Sequence, residues 1–199
     1  MGRWEPDARG RLEEAAMALY SLRGYENTTV AEIAERAGLT ERTFFRHFAD
    51  KREVLFGAAG TFRERLLAPV VAAADEVAPI DALAAGLGAA AEMLQERRDF
   101  SRQRQAIIAS SGELQERELA KLASLAGALA DALRARGIQE PAASLAGEVA
   151  IAVFRAAFER WIADEDDVDF PQLISDSLGQ LKALAGGATP RPKTLPVSG

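Results

Sequence analysis

The chain has 199 residues, of which 48% are apolar, with no cysteine, one histidine and a formal net charge of −6. That length and apolar share suit a small domain joined to a larger one. The apolar share argues against wholesale disorder, and the cysteine and histidine counts against a disulfide framework and a thiolate or multi-histidine metal site; no cofactor is expected. With no signal-peptide pattern at the start and no apolar run near 18 residues, the chain is expected to be soluble, cytoplasmic and without membrane contact.

Apolar residues recur at helical spacing in almost every segment and no alternating strand pattern stands out, so the expected fold class is all-α. A first helix is predicted over 7–22, with Leu12, Ala15, Ala16, Leu19 and Tyr20 on one stripe and Gly24 ending it. Three short helices follow. Thr29 with Glu32, and Asp50 with Glu53, have capping-box spacing, while Thr40 is a favourable N-cap and Leu39 can staple onto Phe44. The helix that opens at Asp50 is expected to run to about Leu67, where Pro69 stops or kinks it. Amphipathic helices are then predicted over 81–97, 101–110, 113–136, 141–164 and 170–185. Two stripes stand out, Leu119, Leu122, Ala126, Leu129 and Leu133, then Phe170, Ile174, Leu178, Leu181 and Ala185. These elements divide the chain into 1–57, 58–185 and a Gly, Pro and Ser-rich tail over 186–199 that reads as disordered.

The segment from Thr29 to Phe48 carries the chemistry. Two helices that cross steeply need small residues at the contact and a residue free to turn, and Ala34, Ala37 and Gly38 supply them. Ile33, Leu39, Phe44 and Phe48 are spaced to anchor the second helix, whose opposite face then carries Arg42, Thr43, Phe45 and Arg46. Arginine can bond guanine through two hydrogen bonds, and a threonine methyl or phenyl ring can touch the thymine methyl. Thr29, Thr40, His47 and Lys51 lie around the rim, suited to phosphates. The overall negative charge does not oppose this. From Arg36 to Arg52 five Lys and Arg face two Asp and Glu, a local net charge of +3.

The run from Gly24 to Leu55, with Thr28-Thr29-Val30, Ile33-Ala34, Ala37-Gly38-Leu39, Thr43-Phe44-Phe45-Arg46-His47-Phe48 and Lys51, resembles the DNA-binding domain of TetR-family regulators. The resemblance implies a homodimeric repressor that binds double-stranded DNA at a palindromic operator and releases it when a small-molecule effector enters the C-terminal helices. Family members usually carry a phosphate-binding tyrosine where this chain has Phe45, so that anchor is missing here.

In the C-terminal two-thirds, Met93, Phe100, Gln105, Ile108, Phe154, Phe158 and Trp161 are candidate ligand-binding residues, being apolar with a few polar groups. Arg97, Arg98, Arg102 and Arg104 would suit an anionic ligand. Val149, Val153, Ala157, Trp161, Leu173, Leu178 and Leu181 are candidate dimer-interface residues. No glycine-rich phosphate loop, nucleophile–base pair or histidine pair points to an enzyme. A helical protein–protein interaction module without DNA binding is the alternative, and the basic face of the second helix opposes it.

Overall fold

The computed structural model describes residues 7–164 and 168–187, which form ten helices with no strand among them. They are α1 (Ala8–Arg23), α2 (Val30–Arg36), α3 (Glu41–His47), α4 (Glu53–Phe56), α5 (Ala59–Ala72), α6 (Pro79–Gln95), α7 (Arg98–Ala109), α8 (Gly112–Ala135), α9 (Ala142–Ala163) and α10 (Phe170–Ala185). No helix of the described residues is long and apolar enough to cross a membrane. The disorder expected at the C-terminus concerns residues outside this range, apart from Gly186 and Gly187, which turn the chain out of α10.

Two apolar cores organise the helices. The first gathers Leu12, Ala16, Leu19 and Tyr20 of α1 with Ile33, Phe44, Phe48 and α4, and it recruits Ile107, Ile108 and Leu114 from the corner between α7 and α8. The second fills the space between α5, α6, α8, α9 and α10. In this core α8 and α9 cross closely at Gly147, where a Cβ would stand 2.4 Å from the Ala126 carbonyl oxygen. At Gly86 of α6 a Cβ would stand 2.3 Å from the Leu66 carbonyl oxygen of α5. Only glycine lets backbones approach so closely.

The helix expected from Asp50 to Leu67 is broken at Gly57 and Ala58 into α4 and α5, and Pro69 lies inside α5 rather than ending it. Proline cannot donate the hydrogen bond due to Arg65, but Leu66 and Val70 on either side are fully buried, and their packing holds the helix together. Asp50 fulfils half of its capping box. Its Oδ1 accepts from the Arg52 and Glu53 amides at 2.8 and 3.0 Å, whereas the Glu53 carboxylate pairs with Arg117 of α8. Leu119, placed on the α8 stripe by its spacing, is exposed because the apolar face of α8 shifts over its first turns toward Leu114.

The α7 arginines are structural. Arg98 Nη2 donates to the Trp161 and Asp164 carbonyls at 2.6 and 2.9 Å, and Arg102 donates to the Ile162 carbonyl at 2.7 Å and to that of Asp164. Both therefore cap the C-terminal end of α9, where carbonyls lack helical partners and cations are favoured. Arg104 donates to the Leu55 carbonyl and pairs with Glu118 at 2.9 Å, and Arg97 lies 3.8 Å from Glu13 and over the Phe100 ring. The cluster expected to suit an anionic ligand is thus divided among structural contacts at the end of α9, at α4 and α8, and at α1.

Candidate nucleic-acid interface

Each of the short helices is set locally. Thr29 and Glu32 form the full capping box, the Thr29 hydroxyl oxygen accepting from the Glu32 amide and the Glu32 carboxylate accepting from the Thr29 amide at 2.9 Å. That amide and the Thr29 hydroxyl draw the Glu32 carboxyl below the usual carboxylate range. Thr40 accepts from the Thr43 amide, and their hydroxyls lie 3.0 Å apart. Between α2 and α3, Gly38 takes φ +66°, in the left-handed region, and the Leu39 amide donates to the Ala34 carbonyl at 2.8 Å. Arg11 of α1 clasps this turn, its Nε and Nη2 donating to the Ala37 carbonyl at 3.1 and 2.6 Å.

Phe44 and Phe48 fasten α3 inward, 0% and 3% exposed, with ring centroids 5.4 Å apart. Arg42, Phe45 and Arg46 then face out, and Phe45 is 55% exposed with its ring edge-on to Phe44. Charge pairing separates these arginines from their neighbours. Arg9 pairs with Glu13, Arg23 with Glu32, and Arg52 with both Asp50 and Glu113. Arg36, Arg42 and Arg46 have no ion-pair partner among the described residues. What α3 presents is therefore a cationic, partly aromatic surface suited to a groove of DNA.

The rim residues divide. Thr29 and Thr40 are exposed beside Thr43, which is half-buried. His47 is half-buried, its Nε2 enclosed without a partner among the described residues, and it lines a cleft with Arg9, Asp50, Glu53 and Arg117. Lys51 turns inward: its ammonium lies on the carbonyls of the loop before α2. Burial raises the Asp50 carboxyl, but hydrogen bonds from Arg52 and the Glu53 amide outweigh it and leave it below its ordinary value. Burial and the Glu113 and Asp50 carboxylates push the Tyr25 hydroxyl up to about 12.

The ligand candidates separate into two places. Phe154, Phe158 and Trp161 meet in one buried aromatic group that also includes Phe62 of α5 and Phe170 of α10, with Trp161 stacked on Phe170 at 4.6 Å. Phe62 is not among the candidates, because one phenylalanine on its helix carries no signal until the fold brings its ring 5.3 Å from that of Phe154. Met93 and Gln105 are half-buried. Ile108 belongs instead to the N-terminal core, and Phe100 packs against that core and lines a cleft of about 470 Å³ between α1 and α7. Their helix, α7, serves the DNA-binding unit on this face, so they do not join the central aromatic group.

Of the dimer candidates, Val153, Ala157, Trp161, Leu173 and Leu178 are buried within the chain itself, and Val149 and Leu181 are partly buried against the same core. Their stripes are the intrachain faces of α9 and α10. The outward face of α9 carries Leu145, Glu148, Ala152 and Ala156, and that of α10 carries Ser175 and Gly179.

Comparison with known proteins agrees with this architecture. Residues 12–58 match the tetR family of bacterial regulatory proteins, and residues 77–185 match the MftR C-terminal domain. TcmR of Streptomyces glaucescens, an HTH-type transcriptional regulator, is 45% identical over 60 residues, which is 30% of this chain and 26% of TcmR. MftR of Mycobacterium tuberculosis, a proposed mycofactocin biosynthesis transcriptional regulator, is 25% identical over 83% of this chain and 85% of its own length. The fold is shared with SmeT in its complex with triclosan (TM-score 0.65, 21% identity, covering 96% of this chain and 99% of SmeT). It is also shared with FadR of Bacillus subtilis in complex with stearoyl-CoA (TM-score 0.60, 22% identity, covering 86% and 96%). The chain belongs to the TetR family and is a DNA-binding transcriptional regulator.

Proposed function

We propose that this regulator is a homodimeric repressor that reads a palindromic operator through the outward face of α3 and leaves it when a small molecule binds the C-terminal helices. The observation that carries the reading is the exposed, unpaired trio Arg42, Phe45 and Arg46 on a helix fastened by Phe44 and Phe48. Arg42 and Arg46 meet guanine or phosphate, Phe45 meets a thymine methyl, and Thr29, Thr40, Thr43 and His47 lie along the backbone. A DNA-reading unit over 1–57 and a regulatory unit over 58–185 divide the work, joined at the α7–α8 corner. Two copies of α3 must then sit roughly 34 Å apart to enter successive major grooves.

A second copy of the chain would pack on the outward faces of α9 and α10, where small residues allow close approach. The aromatic group of Phe62, Phe154, Phe158, Trp161 and Phe170 supports an effector site among the C-terminal helices. An effector that favours a conformation with another spacing between the α3 helices would release DNA through that difference in affinity alone.

Selection of bound sequences from random DNA tests the reading: an inverted repeat is expected. Arg42→Ala should weaken that site by about 1–3 kcal/mol and relax its preference at one position in each half-site. An unchanged preference in quantitative binding would remove Arg42 from base reading.

A further inference from the structure

Lys51 stands in the basic segment, yet its ammonium does not face outward. Nζ donates to the Tyr25 carbonyl at 2.9 Å, the Thr28 carbonyl at 3.0 Å and, more weakly, the Glu26 carbonyl at 3.4 Å, and it lies 4.3 Å from the centroid of the Tyr25 ring. An ammonium has three N–H donors, and three carbonyls of one loop face them. The backbone of Lys51 is fixed as well, since the buried Tyr20 hydroxyl donates to its carbonyl at 2.7 Å. The loop it holds leads directly into Thr29, the N-cap of α2, and is closed at its other side by the Thr28 hydroxyl, which donates to the Gly24 carbonyl. Without Lys51, the Tyr25 carbonyl keeps only the Thr28 amide at 3.3 Å, and the Glu26 and Thr28 carbonyls lose the ammonium that faces them.

We propose that Lys51 is a positioning residue of the DNA interface, acting through the Tyr25–Thr28 loop to set Thr29 and α2, and not a cation that neutralises a phosphate. The inference rests on the DNA reading above, and it reverses what the sequence suggests for this lysine. Its positive charge is used on carbonyl oxygens, so its removal loosens the loop and changes the count of phosphate contacts by nothing.

Salt dependence separates the two roles, because each phosphate contact adds about 0.9 to the slope of log affinity against log salt. Lys51→Met and Lys51→Arg would be compared with the unaltered protein on the selected operator, with thermal unfolding in parallel. Lys51→Met is expected to lose about tenfold in affinity, roughly 1.4 kcal/mol, with the slope unchanged. Lys51→Arg keeps the charge, but its planar fork cannot donate to all three carbonyls as the ammonium does. It should therefore also bind more weakly, again at the same slope. A slope lowered by about one per protomer in Lys51→Met, or full affinity in Lys51→Arg, would overturn the proposal. Should Lys51→Met fail to fold, Lys51→Arg decides. Amide NMR shifts of Thr29 and Glu32, recorded without DNA, should move in both variants; unmoved amides would overturn the loop role whatever DNA does. Loss of operator selectivity in the unaltered protein would instead sink the DNA reading.

Discussion

Phe45 illustrates how one residue can shift the balance of an interface. A large apolar ring left 55% exposed on a helix whose neighbours are arginines gains nothing from water. It gains an apolar contact if a thymine methyl meets it. The expected outcome is that replacing the contacted thymines by uracil, which lacks only that methyl, weakens the unaltered protein severalfold. Phe45→Ala should bind both DNAs equally, so that a double-mutant cycle shows coupling. Equal loss with uracil in both proteins would place the ring elsewhere. Asp50 works at the same scale but through protons. Its folded value is depressed by Arg52 and two amides, so the stabilisation is complete above the unfolded carboxylate value of about 4 and is lost as pH falls through the folded one. Asp50→Asn should flatten the acid limb of a stability profile measured by urea unfolding.

At the scale of elements, caps and turns were legible and crossings were not. Thr29, Glu32, Thr40, Gly24 and Gly38 do what their local chemistry predicts, because capping involves partners three or four residues away. The break at Gly57 and the passage of α5 through Pro69 depend on packing against distant helices, which local signals do not contain. The α8–α9 crossing yields a sharp expectation. Gly147→Ala would push a methyl to 2.4 Å from the Ala126 carbonyl oxygen, backbone that cannot swing aside. Overpacking of about 1–3 kcal/mol should outweigh the roughly 1 kcal/mol gained in helix propensity. Gly127→Ala, with open space at its Cβ, should instead be neutral or stabilising in the same urea titration.

Across the whole molecule, the DNA-binding unit meets the rest through polar contacts around a small apolar seam. Arg52 pairs with Glu113, Arg117 with Glu53, Arg104 donates to the Leu55 carbonyl, and Ser111 bonds Glu26. The Arg52–Glu113 pair is exposed and the Arg117–Glu53 pair part-buried, and exposed pairs contribute little stability individually. These contacts suit the change of angle that the proposed release of DNA would require of this joint. The same α7 holds the end of α9 through Arg98 and Arg102, so one helix touches both the DNA-binding core and the helix proposed to meet a second subunit. Ala152→Arg, which puts a long cation on the outward face of α9, should give a folded monomer by sedimentation that no longer binds the full operator. A dimer that persists would move the interface to another face.

The sequence by itself determined the helical class, the nine strongly patterned helices' approximate places, the motif from Thr29 to Phe48 and the face of α3 that looks outward. All of these rest on period, capping and turn chemistry within a few residues. Only the tertiary structure decided which apolar stripes are internal. A buried stripe and a dimer stripe have the same spacing, and α9 and α10 differ in what covers them, so Val153, Ala157, Leu173 and Leu178 proved to be core. It also decided the fate of charge. A lysine or arginine reads alike wherever it points, and only the fold turned Lys51, Arg98 and Arg102 toward backbone carbonyls while leaving Arg42 and Arg46 facing out.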